Sequence, residues 1–397
     1  MRSMNRIILI IGVLLFIISC NAPLEFPLPS FFQGSKYPNM IKSNDGSLFI
    51  LWTSESDTTS SVIFSEFMQN KWTEPSIIFS SNSLMVNWAD FPSIFKSNGD
   101  TLFAHCLEKS SAETFDYHIL LSYSIDRGKS WSTPLKVNRD QKNKGEHGFL
   151  SFYPSKNGVG IAWLDGRHMG EYNMETHTMG DMALYQSSFS QGILTAEKVL
   201  DQRVCECCPT DAVAIPDGTL IAYRDRSEKE IRNINVIRII DGIAQNPITV
   251  HEDNWFIPGC PVNGPKIAEK NGKLAIAWFT APNGEAQVNV SFSNDLGKTF
   301  SDPIRVDGGK PQGRVDLEWV NNETLMVNWL EAKDEMSSIV YRKIKNDGKL
   351  SDLSVVATLE GGRGIGYPQM ELLHNQILFV WTDPLQNKIQ SKWIKND

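Results

Sequence analysis

The sequence predicts an all-β fold, a propeller of seven four-stranded blades, with six the alternative if a terminal repeat is irregular. Two observations lead there. Short apolar runs, most ending in an aromatic residue, recur seven times at nearly constant spacing, which marks a repeat architecture. Glycine (28), proline (19) and tryptophan (11) are abundant while long amphipathic helical patterns are scarce, which favours strands and turns.

The runs lie at 48–52, 102–106, 159–163, 220–223, 274–278, 325–329 and 377–381. Their last residues are Trp52, Cys106, Trp163, Tyr223, Trp278, Trp329 and Trp381, spaced by 54, 57, 60, 55, 51 and 52 residues. A turn such as Asn44-Asp45-Gly46, Asn98-Gly99-Asp100, Pro216-Asp217-Gly218 or Asn271-Gly272 precedes most of them, and another apolar stretch precedes the turn. Each repeat therefore opens with a hairpin of an innermost strand and its neighbour. A third strand is expected at 119–124, 288–293 and 339–343, and a fourth at 133–137 and 303–306. The seventh repeat stops after its third strand, and 24–28 is placed to supply the missing strand and close the ring.

Ahead of the repeats, Arg2 and Arg6 precede an apolar run at 7–18, then Ser19 and Cys20. This reads as an export signal over 1–19, the run being shorter than the about 20 residues a spanning helix needs. Ile17-Ile18-Ser19-Cys20 resembles a bacterial lipobox, which implies lipidation of Cys20, a tether over 20–30 and a single propeller domain over 31–397. Asn21 after the cysteine implies the outer membrane. The net charge of −8, with both signs interspersed and no basic block, argues against nucleic acid and against an electrostatic membrane surface. Membrane contact is thus expected through the lipid alone, and a monomer is expected.

Two turns carry a family resemblance. Ser124-Ile125-Asp126-Arg127-Gly128-Lys129-Ser130-Trp131 and Ser293-Asn294-Asp295-Leu296-Gly297-Lys298-Thr299-Phe300 match the Asp-box, Ser-x-Asp-x-Gly-x-Thr-Trp. They lie 169 residues apart, about three periods, in the same place between third and fourth strands. The chain thus resembles the sialidase-like (Asp-box, BNR repeat) propellers over roughly 31–397, although sialidases usually have six blades. Asp-boxes are structural turns, so the resemblance implies architecture before activity.

In an up-and-down blade, the start of the first strand and the end of the second share one face, where a ligand site is expected. Two residues past the aromatic positions stand Ser54, Glu108, Asp165, Asp225, Thr280, Glu331 and Asp383, five of them acidic. Arg167, Arg224, Arg226, Arg314, His147, Asp316 and Tyr367 are placed around them. Convergent acids and arginines around one pore suit a polar ligand. Sialidases grip a carboxylate with three arginines, attack with a Tyr activated by Glu, and use an Asp as acid–base. The resemblance implies Tyr367 and Glu331 as a neighbouring catalytic pair and Asp90 as the acid. It implies Arg167, Arg224, Arg226, Arg314, Asp165, Asp225 and Asp316 as substrate-binding residues. Where sialidases carry Arg-Ile-Pro, this chain has Lys36-Tyr37-Pro38.

Five further cysteines remain. Cys106 takes an aromatic position and reads as a small buried hydrophobe. Cys205, Cys207 and Cys208 open the fourth repeat and Cys260 opens the fifth, which places four thiols together on the ligand face. A disulfide from Cys260 to one of the trio, or a Cu or Zn site, follows from that clustering in an exported protein. The Cys-x-Cys-Cys segment, the charged stretch at 223–234 and Gly313-Arg314-Val315-Asp316 resemble a group of bacterial proteins labelled sialidase-like by fold. Three readings follow: an envelope-anchored propeller that binds or hydrolyses an acidic glycan, as a sialidase-like glycoside hydrolase would; a non-catalytic glycan- or protein-binding propeller; and a cysteine-cluster metal or redox protein on the same scaffold.

Overall fold

A computed structural model describes Pro29 and residues 32–140, 144–155, 158–174 and 178–396. The export signal, Cys20 and the strand expected at 24–28 lie outside the described residues. Seven antiparallel sheets follow one another in chain order around a central tunnel, so the seven-blade expectation holds. Their innermost strands are Ser35–Lys42, Ser93–Lys96, His147–Ser155, Asp211–Ile215, Lys266–Lys270, Pro311–Trp319 and Gln369–Leu373. In blades 1, 3 and 4 the outer strand is broken in two, as where Lys71–Trp72 and Ser76–Ser81 both pair with Ser60–Met68. Blade 7 has three strands among the described residues. The ring closes where Gln33 bridges Lys388, Gly34 N donates to Asn387 O at 2.9 Å, and Phe32 packs on Trp52.

The repeated aromatic is the core of each blade. Trp52, Trp163, Trp278 and Trp329 are fully buried on their second strands, each contributing at least the ~1.5–3 kcal/mol of a large buried side chain. Residues i and i+2 share a face of a strand, so the acid two places on lies beside the indole and not toward the pore. Trp163 Nε1 donates to Asp165 Oδ2 at 2.8 Å, and Trp329 Nε1 to Glu331 Oε2 at 2.6 Å. In blade 5 the second position is Thr280, and Trp278 turns to Asp253 instead, at 2.7 Å. Two of the five supposed pore acids, Asp165 and Glu331, are therefore tryptophan partners.

The two homologous turns share one bonding scheme. Ser124 and Ser293 donate to Asp126 and Asp295 and accept from the amides of Gly128 and Gly297. Each Asp then accepts from the amide and hydroxyl of Ser130 or Thr299. Gly297 has φ +79°, and a Cβ there would meet Leu220 at 2.9 Å, so both its conformation and its neighbours demand glycine.

The tunnel wall poses the harder problem. Each innermost strand has a free edge, whose unpaired N–H groups need acceptors. At six of the seven junctions a side-chain oxygen from one blade accepts an inner-strand amide of the next. The pairs are Asn39–Ile94 N, Asp90–Phe149 N, Asp211–Ile267 N, Asn263–Arg314 N, Asp316–Met370 N and Glu371–Lys42 N, at 2.7 to 3.2 Å. Between blades 3 and 4 hydroxyls take over, Thr210 Oγ1 bonding both Ser151 Oγ and Phe149 O. Replacing an uncharged acceptor in Asn39→Leu should cost about 1–3 kcal/mol by denaturant titration, the penalty of an orphaned buried donor. Amide exchange should rise at Ile94 above all.

Candidate functional site at the tunnel mouth

The tunnel encloses a cavity of ≈ 290 Å³ lined from all seven blades, with Asp90, Asp316 and Tyr367 in its wall. At its mouth, three inner strands bulge. The register slips between Lys36 and Asn39, Gly148 and Ser151, and Gly313 and Asp316. Tyr37, Phe149 and Arg314 sit within these slips at φ 52°, 53° and 58°. Non-glycine residues in that region cost roughly 1–3 kcal/mol each, and bulges re-aim side chains. Here they turn two aromatics and one guanidinium to the mouth.

The mouth is an aromatic floor under positive charge. Trp88 stacks on Tyr367 at 6.3 Å and 17°, and Phe91 lies 5.8 Å from Tyr367. Phe149 and Ala89 join the same apolar cluster. Arg314 lies 4.4 Å from the Trp88 ring centre and Arg363 5.9 Å, both as cation–π contacts. Arg314 Nη1 donates to the carbonyls of Gly362 and Gly366, at 2.9 and 3.1 Å. Among the described residues its Nε and Nη2 have no acceptor, and Arg363 is exposed with no carboxylate partner. Across Gly148 from Asp90, Tyr117 Oη donates to Glu146 Oε1 at 2.5 Å. Burial pushes the Glu146 carboxyl up to about 7, opposed by the Tyr117 hydrogen bond and reinforced by the Glu206 charge. Asp90 is raised as well, by burial; its Oδ1 holds Phe149 N while its Oδ2 is buried with no hydrogen-bond partner.

Of the residues expected from sequence, Asp90, Arg314, Asp316 and Tyr367 do come together at the mouth and upper wall. Tyr367 and Glu331 do not form the expected pair. Tyr367 Oη donates to Val262 O at 2.7 Å, whereas Glu331 accepts from Trp329 Nε1 and from the amides of Gly308 and Lys310. Burial also raises the Tyr367 hydroxyl, against the pull of Arg314 and Arg224. The other arginines are committed elsewhere. Arg224 is buried, donates to Asn263 O, Arg232 O and Phe279 O, and is pushed by burial down to about 10. Arg167 is tied to Asp165 and Glu197, and Arg226 to Asp181, Glu206 and Glu230. Asp225, raised to about 6 by burial and by Asp201, lies half-buried beside Val204. A three-arginine carboxylate clamp around Tyr367 is not assembled; Arg314 and Arg363 are the open guanidiniums.

His147 is likewise internal. Its Nδ1 meets Tyr117 O at 2.8 Å and its Nε2 lies 3.3 Å from Asp140 and 3.5 Å from Asp165. His118, Asp140 and His147 lie close enough to share a metal ion, but the Asn138 amide already donates to both His118 Nδ1 and Asp140 Oδ1. Asp140 Oδ2 and His147 Nε2 are buried with no hydrogen-bond partner among the described residues, so the network is only partly closed.

The cysteines pair as Cys205–Cys208 and Cys207–Cys260, with Cα separations of 5.7 and 6.0 Å. The disulfide expected at Cys260 is present, and the remaining two thiols join each other, so no odd thiol is left to recruit Cu or Zn. Cys106 is free and buried. The Cys205–Cys208 pair has a Cys-x-x-Cys spacing that sequence reasoning passed over. It also missed Trp88, Tyr117, Glu146 and Arg363. The available signal was phase: Glu146 directly precedes the first strand of blade 3 and Trp88 lies in the segment leading into that of blade 2, the places where a mouth must form.

Fold and mouth together define a class: a seven-bladed propeller with an open, cationic, aromatic-floored pore. The chain matches no protein-family model and no curated protein. Among solved structures it is similar to a Dyadobacter fermentans protein of unknown function, with 15% identity, 91% of this chain and 95% of that one covered, and TM-score 0.50. It is also similar to an ulvan lyase of polysaccharide lyase family PL25 (10% identity, 92% and 94% covered, TM-score 0.56) and to the polysaccharide lyase Uly1 (11%, 90% and 90%, 0.52). These are likenesses of fold. In denatured, unreduced protein we expect one reactive thiol, Cys106, from the cysteines after residue 20, and four more after reduction. Four thiols reactive before reduction, accompanied by stoichiometric zinc or copper, would restore the metal reading.

Proposed function

We propose that the protein binds an anionic glycan at the tunnel mouth and cleaves it with Glu146 as proton donor. The observation that carries this reading is the pair of open guanidiniums over the Trp88 ring, together with a half-buried Glu146, raised toward neutrality, at the entry of the third blade's inner strand. An aromatic face takes the apolar face of a sugar ring, guanidiniums take a carboxylate or sulfate, and a carboxyl poised near neutrality suits protonation of a leaving oxygen. The same fold serves polysaccharide lyases, one of which is known bound to -[GlcA(1-4)Rha3S]-. Because Tyr367 is spent on Val262 and lacks Glu331, the sialidase nucleophile is not part of the proposal. We place the protein on the cell envelope, lipidated at Cys20.

The test is a panel of uronate-bearing and sulfated polysaccharides. New reducing ends with an ultraviolet-absorbing unsaturated sugar mean elimination, and new ends without it mean hydrolysis. Binding with no cleavage would leave a recognition propeller, and no binding at all would overturn the reading. Activity should fall as pH rises through about 7, because Glu146 must hold its proton. Glu146→Gln should lower kcat by roughly 10²–10⁴-fold. Arg314→Ala should weaken glycan binding by about 1.5–3 kcal/mol, the worth of a charge-assisted hydrogen bond. In cells, labelled palmitate should enter the protein and be lost in Cys20→Ser; labelling that persists would sink the anchor assignment.

A further inference from the structure

We infer that the Cys207–Cys260 disulfide is a redox latch on the mouth. The inference rests on the mouth being the ligand site, but its structural part is testable without a ligand.

The two disulfides differ in access. Cys205 and Cys208 are buried, whereas Cys207 is half-buried and Cys260 is exposed. An exposed disulfide is open to attack by a thiolate, and a buried one is not.

What Cys260 restrains matters more. Upstream, the chain is fixed at Ile257, whose N donates to Glu230 O and whose O accepts from Arg232 Nε. Downstream, Val262 and Asn263 form a hub. Val262 O accepts the Tyr367 hydroxyl, Asn263 O accepts Arg224 Nε at 2.9 Å, and Asn263 Oδ1 accepts Arg314 N at 2.7 Å. Asn263 Nδ2 reaches Pro261 O and Gln312 O. Asn263 also presses on Gly313, where a Cβ would meet Oδ1 at 2.1 Å. Between the anchor and the hub, Pro258, Gly259 and Cys260 make no backbone hydrogen bond among the described residues. The covalent tie to Cys207 is what fixes this stretch.

Val262 shows why a tie is needed. It is β-branched and sits at φ 50°, a conformation that persists only where the surroundings enforce it. Opening the disulfide removes that enforcement. Val262 then relaxes, the acceptor of Tyr367 moves, and the Arg314 amide loses its fixed partner. The bulge that aims Arg314 over Trp88 loosens with it.

The chemistry needs a dithiol reductant. One of its thiolates attacks an accessible sulfur of the Cys207–Cys260 pair and displaces the other as thiolate. Its second thiol then resolves the mixed disulfide. The net change is two electrons and two protons to Cys207 and Cys260, with the reductant oxidised to its disulfide. A disulfide oxidant reverses the step by the same exchange, its own disulfide reduced to two thiols as Cys207–Cys260 re-forms.

The test is a dithiothreitol titration of the purified full chain, with alkylation and peptide mass mapping, alongside amide exchange and far-ultraviolet circular dichroism. The expected result is that Cys207 and Cys260 alkylate first while Cys205–Cys208 persists. Exchange should then rise at least about 10-fold at Arg314, a local loss of protection, with strand content unchanged. Cys260→Ser should show the same raised exchange without reductant. Both disulfides opening together with loss of fold would overturn the latch, as would selective reduction with Arg314 exchange unmoved. If exchange responds as expected but the glycan panel fails, the functional reading falls and the latch stands.

Discussion

The exposed edges of seven inner strands set the terms for this molecule. A propeller buries the second and third strands of every blade between sheets, but it leaves the innermost amides facing a narrow tunnel. The solution is a one-way chain of acceptors. Each blade but one lends a carboxylate or carboxamide to an amide of the next, and Glu371 completes the circuit at Lys42 N. This arrangement explains why a tunnel of ≈ 290 Å³ carries so many acids. They are there to hold blades in register, and the lysines Lys42 and Lys266 balance them through Glu318 and Asp211.

The same device grades into the site. At the mouth, Asp90 holds Phe149 N with one oxygen and has the other unspent. Asn263 holds Arg314 N and thereby the guanidinium above Trp88. Register and candidate site thus share atoms, and the bulges at Tyr37, Phe149 and Arg314 are where the wall's regular pairing gives way to a shaped surface. A carboxyl that is only half used as a clip, in a dry place, is a carboxyl whose proton is hard to remove.

Much of this was legible in the chain before any coordinates. The blades were, because one buried aromatic per repeat at a fixed phase is a strong packing constraint. The two turns were, because Ser, Asp and Gly must fall at set offsets for their hydrogen bonds to form. The site was legible only in part. Position along a strand indicates which end of the blade a residue occupies, and it places Asp90, Arg314 and Tyr367 at the same end of the ring. It does not indicate which sheet face the side chain takes unless the period of two is carried through. Asp165 and Glu331 were misassigned for that reason, since they share the face of Trp163 and Trp329. Trp88 and Glu146 escaped because they belong to connecting segments, whose placement depends on blade-to-blade contacts rather than on any local pattern. The cysteine partners were half legible: Cys260 had to look to the trio, but pairing within the trio depends on a turn that spacing does not dictate.

The closure of the ring carries a mechanical consequence. First and last blades meet at a seam made by Phe32, Gln33 and Gly34 against Asn387 and Lys388. Any tension on the chain ahead of Phe32 is delivered to that seam before it reaches another blade. The load is taken by a few backbone contacts and by the wedge of Phe32 against Trp52 and Trp72. With the chain held by the lipid proposed at Cys20, load would enter the ring at this seam, across from the blades that the Cys205–Cys208 and Cys207–Cys260 disulfides staple.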